Sequence, residues 1–265
     1  MPSGKQSKRR RAAQAPPPVR SVRKRQASPR VLAIAAALLA LAAAAVVLAV
    51  AFGNGDSKDS AAPAQGSPAN ALTGAVETQQ LLKGIPQNGN VLGKPTAPVT
   101  VYTYVDAQCP FCEQFETEAM PTLIERYVRT GKAKVELRPI AFIGTDSERG
   151  RAALIAAAEQ DKMFNVAQLL FLNQGAENSG WLNDDLVERI AASIPGLDAP
   201  RLLTDRDAPA VADKTSAFDT DADTDGVTST PTILVGKSGQ AAKLVTLTTA
   251  TDPQPVARAI DAALR

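Results

Sequence analysis

Cys109 and Cys112 are the two cysteines of this 265-residue chain, and Pro110 and Phe111 stand between them. Two thiols at this spacing can close a disulfide and exchange it with another pair of thiols. A run of strand composition, Val99 to Val105, precedes them, and a helix-like run, Glu113 to Arg129, follows. The pair therefore falls at a strand-to-helix junction, where free N–H groups and the positive dipole end of the helix stabilise a thiolate. Cys109 is expected to be the more exposed, attacking sulfur, with a pKa below the free value of about 8.5. Cys112, one turn on, is expected to be the more buried, resolving thiol. Pro110 suits the first turn because it has no N–H to satisfy. Phe111 brings no charge, and either joins an apolar docking surface or caps the core. Asp106 lies just before the turn, either as a proton acceptor or tuning acid for Cys112 or as a solvated or capping carboxylate. The bland alternative for the pair is an inert disulfide. Such a short loop would constrain the unfolded chain little.

The rest of the composition narrows the chemistry. The chain has no histidine, which excludes Ser-His-Asp and Cys-His catalysis and removes the commonest transition-metal ligand. Two cysteines cannot complete a tetrahedral zinc site. Asp221, Asp223, Asp225 and Gly226 match the first half of a calcium loop, but the closing Glu would fall on Thr232, and Pro231 interrupts the exit helix. This acidic run reads instead as the end of a helix and a solvated loop. No metal and no cofactor is expected beyond the redox-active disulfide itself. Trp181 and Phe171 read as core residues placed in helices, with a peptide groove as the alternative.

The elements that must position the cysteines come after a distinct N-terminus. Residues 1–30 carry ten Lys or Arg and no acid, so the net charge of +2 leaves −8 for the remainder. The folded part is acidic, which argues against nucleic acid as its partner. Residues 31–52 are twenty-two apolar residues in succession, roughly 33 Å as a helix and enough to span a bilayer. The basic cluster before them places the N-terminus in the cytoplasm and the domain outside. A cleaved signal peptide ending near Ala49-Val50-Ala51 is the alternative, but the run is longer than a usual signal core. Residues 53–90, rich in Gly, Ala, Ser, Pro, Asn and Gln, read as a flexible stalk, with a short amphipathic piece near Thr78 to Leu82.

From residue 91 the pattern is a strand, a helix that Pro121 should kink and Gly131 should end, and a second strand at Lys134–Ile140. Helices are predicted at Glu148–Gln160, Phe164–Leu172, Asn183–Ser193, Pro200–Leu203 and Asp213–Asp221. A hairpin of Thr232–Val235 with Ala242–Leu247 follows, and a closing helix over 253–265. The order β-α-β, helices, β-β-α is one α/β sheet with a helical insertion at about 146–222.

This order, with the cysteines opening the first helix, resembles the thioredoxin fold, and the insertion between its βαβ and ββα halves resembles the DsbA-like branch. Leu92-Gly93 with Ala97-Pro98-Val99-Thr100-Val101, then Asp106-Ala107-Gln108-Cys109-Pro110-Phe111-Cys112, and then Gly226-Val227-Thr228-Ser229-Thr230-Pro231-Thr232 carry the resemblance over roughly residues 90–265. It implies a cis peptide before Pro231 that turns the Thr230 backbone toward Cys109, where an extended substrate can pair with it. It also implies a thiol–disulfide oxidoreductase that oxidises exported proteins, reoxidised by a membrane partner of the DsbB or VKOR type. With the anchor, this describes a monomeric, single-pass enzyme of a bacterial envelope. A reductase or isomerase with the same cysteines, and a redox-inactive tethered scaffold, are the alternatives. Phe111 stands where the DsbA type has His, and Thr103 where some relatives carry Glu, two departures that bear on thiolate energetics.

Overall fold

In the computed structural model, which describes residues 72–265, helix α1 (Ala75–Leu82) and two short strands, β1 (Gln87–Asn88) and β2 (Val91–Leu92), precede the central strand β3 (Val99–Asp106). The basic tail, the apolar run at 31–52 and the stalk up to residue 71 lie outside the described residues. Four helical segments run on from one another as α2: Pro110–Gln114, Phe115–Ala119, Met120–Leu123 and Ile124–Val128. Strand β4 (Ala133–Ile140) follows. The insertion is α3 (Thr145–Ala158), α4 (Met163–Leu172), α5 (Asp184–Ala192), α6 (Ala199–Asp205) and α7 (Pro209–Thr224). Strands β5 (Thr232–Lys237) and β6 (Lys243–Val245) and helix α8 (Gln254–Ala263) complete the chain.

The sheet order is β1-β2-β4-β3-β5-β6. Strand β3 runs parallel to β4 and antiparallel to β5, with Val101 opposite Val135 on one side and Val235 on the other. Alternation along the strands divides the side chains. Val99, Val101 and Val105 join Val135, Leu137, Ile233 and Val235 in the main core, with Phe115, Ile124 and Tyr127 of α2 and Val256 and Ile260 of α8. On the opposite face Tyr104 packs with Ile140, Leu234 and Ala222 of α7. Pro139 is tolerated in β4 because β2 pairs only with Val135 and Glu136, so no ladder bond is lost there.

Two expectations are corrected. The stalk expected through residue 90 is helix and sheet from residue 75 onward, because Leu72, Ala75, Leu82 and Ile85 are buried in the core. The amphipathic piece near Thr78 to Leu82 falls in α1, which packs on the domain, whereas the strands of two residues each carry too little pattern to read. The acidic run closing α7 is not simply solvated. Asp221 and Asp225 lie 3.2 and 3.4 Å from the Arg138 guanidinium, which also stacks 4.5 Å from the Tyr102 ring centroid. Tyr104 donates to Asp225 at 2.6 Å.

Helix α2 passes Pro121 without ending, through wide π turns. Met120 N–H bonds the Phe115 carbonyl five residues back. The next such bond would need an N–H from Pro121, which has none. The Glu116 carbonyl is left over, and the Gln168 side chain on α4 donates to it at 2.8 Å. The helical insertion is thus bolted to the helix that carries the cysteines.

Candidate active site

Cys109 is the N-cap of α2, with extended backbone (φ −71°, ψ 119°), and Pro110 follows at the first helical position. Both sulfurs are free thiols. Cys109 keeps 5% of its surface exposed and Cys112 none. The Cys109 thiol donates to the Thr230 carbonyl at 3.3 Å, and the Thr230–Pro231 peptide is cis. Two segments separated by some 120 residues therefore meet at one sulfur.

The two thiols are pushed in opposite directions. A hydrogen bond from Cys112 is the largest influence on Cys109, and it outweighs the effect of burial. The Thr230 side chain and the N–H groups of Cys112 and Phe111 add to it, and the pKa falls to about 6. Cys112 is raised well above the ordinary thiol range, first by burial and then by its bond and charge interaction with Cys109. The outer sulfur is held ready as a thiolate and the inner one holds its proton.

Phe111 is 61% exposed, so it is not a core cap. Phe142, in the loop after β4, is the other exposed phenylalanine among the described residues. Phe171 is buried, whereas Trp181 lies in the loop after α4 rather than in a helix, half-buried against the core. Thr103 is fully buried, and its hydroxyl has no partner. The Asp106 carboxylate is fully buried and holds four donors. These are the Gln108 N–H at 2.8 Å, the Ser147 hydroxyl at 2.6 Å, and the Phe142 and Ile143 N–H groups at 2.6 and 3.1 Å. It reaches Cys112 through its backbone rather than its carboxylate. This geometry is that of the capping reading.

Sequence reasoning missed Glu116. It is 2% exposed, one carboxyl oxygen has no partner, and burial alone raises its pKa to about 8. Its place four residues after Cys112, on the same helical face, was a signal available in the sequence. An unfolded Glu ionises near 4.5 and this one near 8, so the folded state loses stability as pH rises through that window. Glu116→Gln is expected to remove the loss. Its stability relative to wild type should grow by up to about 1.4 kcal/mol per pH unit between the two values. Urea denaturation at pH 5 and pH 8 checks this, and a gap that does not widen with pH would refute it.

Comparison with known proteins fits this geometry. The family model described as Thioredoxin matches residues 86–250. The probable disulfide bond formation protein D of Bacillus cereus is 31% identical over 128 residues, 47% of this chain and 59% of that protein. The disulfide bond formation protein D of Bacillus subtilis is 29% identical over 169 residues, 61% of this chain and 72% of that protein. The crystal structure of oxidised BdbD from Bacillus subtilis superposes with a TM-score of 0.59 at 22% identity, covering 68% of this chain and 97% of the other. The fold, with its helical insertion, is shared.

Proposed function

The chain belongs to the thioredoxin family, in its DsbA-like branch, and we propose that it is a thiol–disulfide oxidoreductase that forms disulfides in exported proteins through Cys109 and Cys112. The observation that carries this reading is the pair itself. A thiol lowered to about 6 keeps a sliver of exposed surface at a helix N-terminus, and a fully buried partner thiol is hydrogen-bonded to it. In the oxidised enzyme a substrate thiolate attacks the Cys109 sulfur and breaks the disulfide. Cys112 leaves and takes up a proton, which its raised pKa favours. The substrate's second thiolate then attacks its own sulfur in the mixed disulfide, and Cys109 departs as a stabilised thiolate. Two electrons pass from the substrate's thiols to the enzyme.

The Thr230 backbone, lying against Cys109, supplies a polar edge on which an extended substrate segment can align, and exposed Phe111 supplies an apolar contact. Reoxidation falls to a membrane partner of the DsbB or VKOR type. The apolar run at 31–52 with its basic flank supports a single-pass anchor and an extracytoplasmic domain. Among the described residues no helix is long and apolar enough to cross a membrane. The relatives in Bacillus cereus and Bacillus subtilis are disulfide bond formation proteins, which supports the oxidising direction.

The direction is tested by equilibrating the purified protein with glutathione. A Cys109 pKa near 6 lies between about 7 for a reducing and about 3.5 for a strongly oxidising member of the fold. The expected potential therefore lies between about −270 and −120 mV. A value at or below the reducing end would favour the reductase or isomerase reading with the same cysteines.

A further inference from the structure

We infer that the loop from Asn173 to Trp181 is a clamp on the active-site turn, and that Gln174 is a positioning residue for the reacting sulfur. The inference rests on the exchange reading above. Each of the four residues from Asp106 to Cys109 is held by a group beyond β4. Asp106 takes the donors already described. Gly150 on α3 comes so close to Ala107 that an added Cβ would clash with the Ala107 methyl. Gln108 is fully buried. Its amide donates to Ser147 at 3.0 Å and to the Asn178 side chain at 3.2 Å, and its oxygen accepts the Asn178 N–H at 2.6 Å. Asn178 sits in the left-handed region (φ 53°), which asparagine adopts more readily than most residues, and it also donates to the Ile143 carbonyl at 3.1 Å.

Gln174 closes the set. Its amide donates to the Ala107 carbonyl at 2.9 Å and to the Cys109 carbonyl at 3.3 Å. The Cys109 carbonyl also receives the Cys112 and Glu113 N–H groups at 3.0 and 3.1 Å. A carbonyl beside a thiolate carries negative charge that opposes it, and each donor to that carbonyl offsets some of the opposition. The Gln174 amide thus acts on the sulfur through the sulfur's own peptide unit. It comes from the insertion, so the insertion bears on the thiolate as well as on the fold.

The test uses the full chain with Gln174→Ala and Gln174→Glu. The Cys109 pKa is read by thiolate absorbance, and the equilibrium constant against glutathione by titration at pH 7. Removing the donor is expected to raise the pKa by about half a unit and to shift the equilibrium about threefold toward the reducing side. The near-isosteric Glu, an acceptor facing two carbonyls, is expected to raise the pKa by about a unit and the shift to about fivefold. A filler role predicts the opposite order, because Glu fills the space that Ala vacates. A low wild-type pKa that neither variant moves, or a shift larger for Ala than for Glu, would overturn this inference alone. A wild-type Cys109 titrating at the ordinary thiol value would overturn the exchange reading and this inference with it.

Discussion

Cys109→Ser is expected to lower thiol–disulfide exchange by at least about a thousandfold, since the only sulfur open to a substrate is lost. Cys112→Ser should instead leave Cys109 reactive and trap mixed disulfides with substrates, visible on non-reducing gels. The two cysteines are not equivalent, because 5% of Cys109 meets solvent and none of Cys112 does. Cys112→Ala carries a further consequence. The Cys112 hydrogen bond is the largest influence lowering Cys109, so its removal should raise the Cys109 pKa above about 6, while serine, which keeps a donor, should raise it less. Alkylation reports the thiolate best in acid. A pKa near 6 rather than about 8.5 gives far more thiolate at pH 5 but a weaker nucleophile. The net advantage over a free cysteine is about twentyfold at pH 5 and only about twofold at pH 7. The sign for stability follows. The folded thiol ionises near 6 and the unfolded one at the free value of about 8.5, so the reduced form gains up to about 1.4 kcal/mol per pH unit between these values. That gain is lost as pH falls through 6. Denaturation of the reduced Glu116→Gln variant, which lacks the opposing carboxyl, at pH 6 and pH 8 measures it, and equal stabilities there would contradict a stabilised thiolate.

Asp106→Ala is expected to cost about 3–5 kcal/mol, because four donors lose one buried acceptor at a stroke. Asp106→Asn should cost less, about 1–3 kcal/mol, since its oxygen can still serve one pair of donors while its NH2 group faces another. Both variants should loosen the junction of β3, the turn and the β4–α3 loop, where Phe142 and Ile143 hang on this carboxylate. The measurement is thermal unfolding, with the pH profile of substrate oxidation beside it. A structural acceptor predicts lost stability and an unmoved profile. A profile displaced in Asp106→Asn, with stability unchanged, would return Asp106 to the role of an acid acting on Cys112.

How much of this was legible in the chain depends on the range of the interaction. The strand-turn-helix placement of Cys109 and Cys112 is local. Alternating apolar residues, Pro110 at a first turn and two thiols one turn apart suffice to read it. The insertion helices were legible for the same reason, down to Asn183, whose side chain caps α5 by accepting the Leu186 N–H at 3.0 Å. Strands β1 and β2 were not, because two residues carry no period: β2 takes its identity from Glu136 and Val135 of β4, and β1 takes its own from β2.

Neighbours a few residues away fix where the two thiols stand, on what kind of junction and in which order of elements, so these are readable from the chain. How the sulfurs are tuned is settled by the folded molecule. The Thr230 carbonyl at Cys109, the four donors on Asp106, the buried carboxyl of Glu116 and the Gln174 amide all involve burial or partners distant along the chain. Burial and hydrogen bonding set the energy of a charge, and neither is written in local spacing.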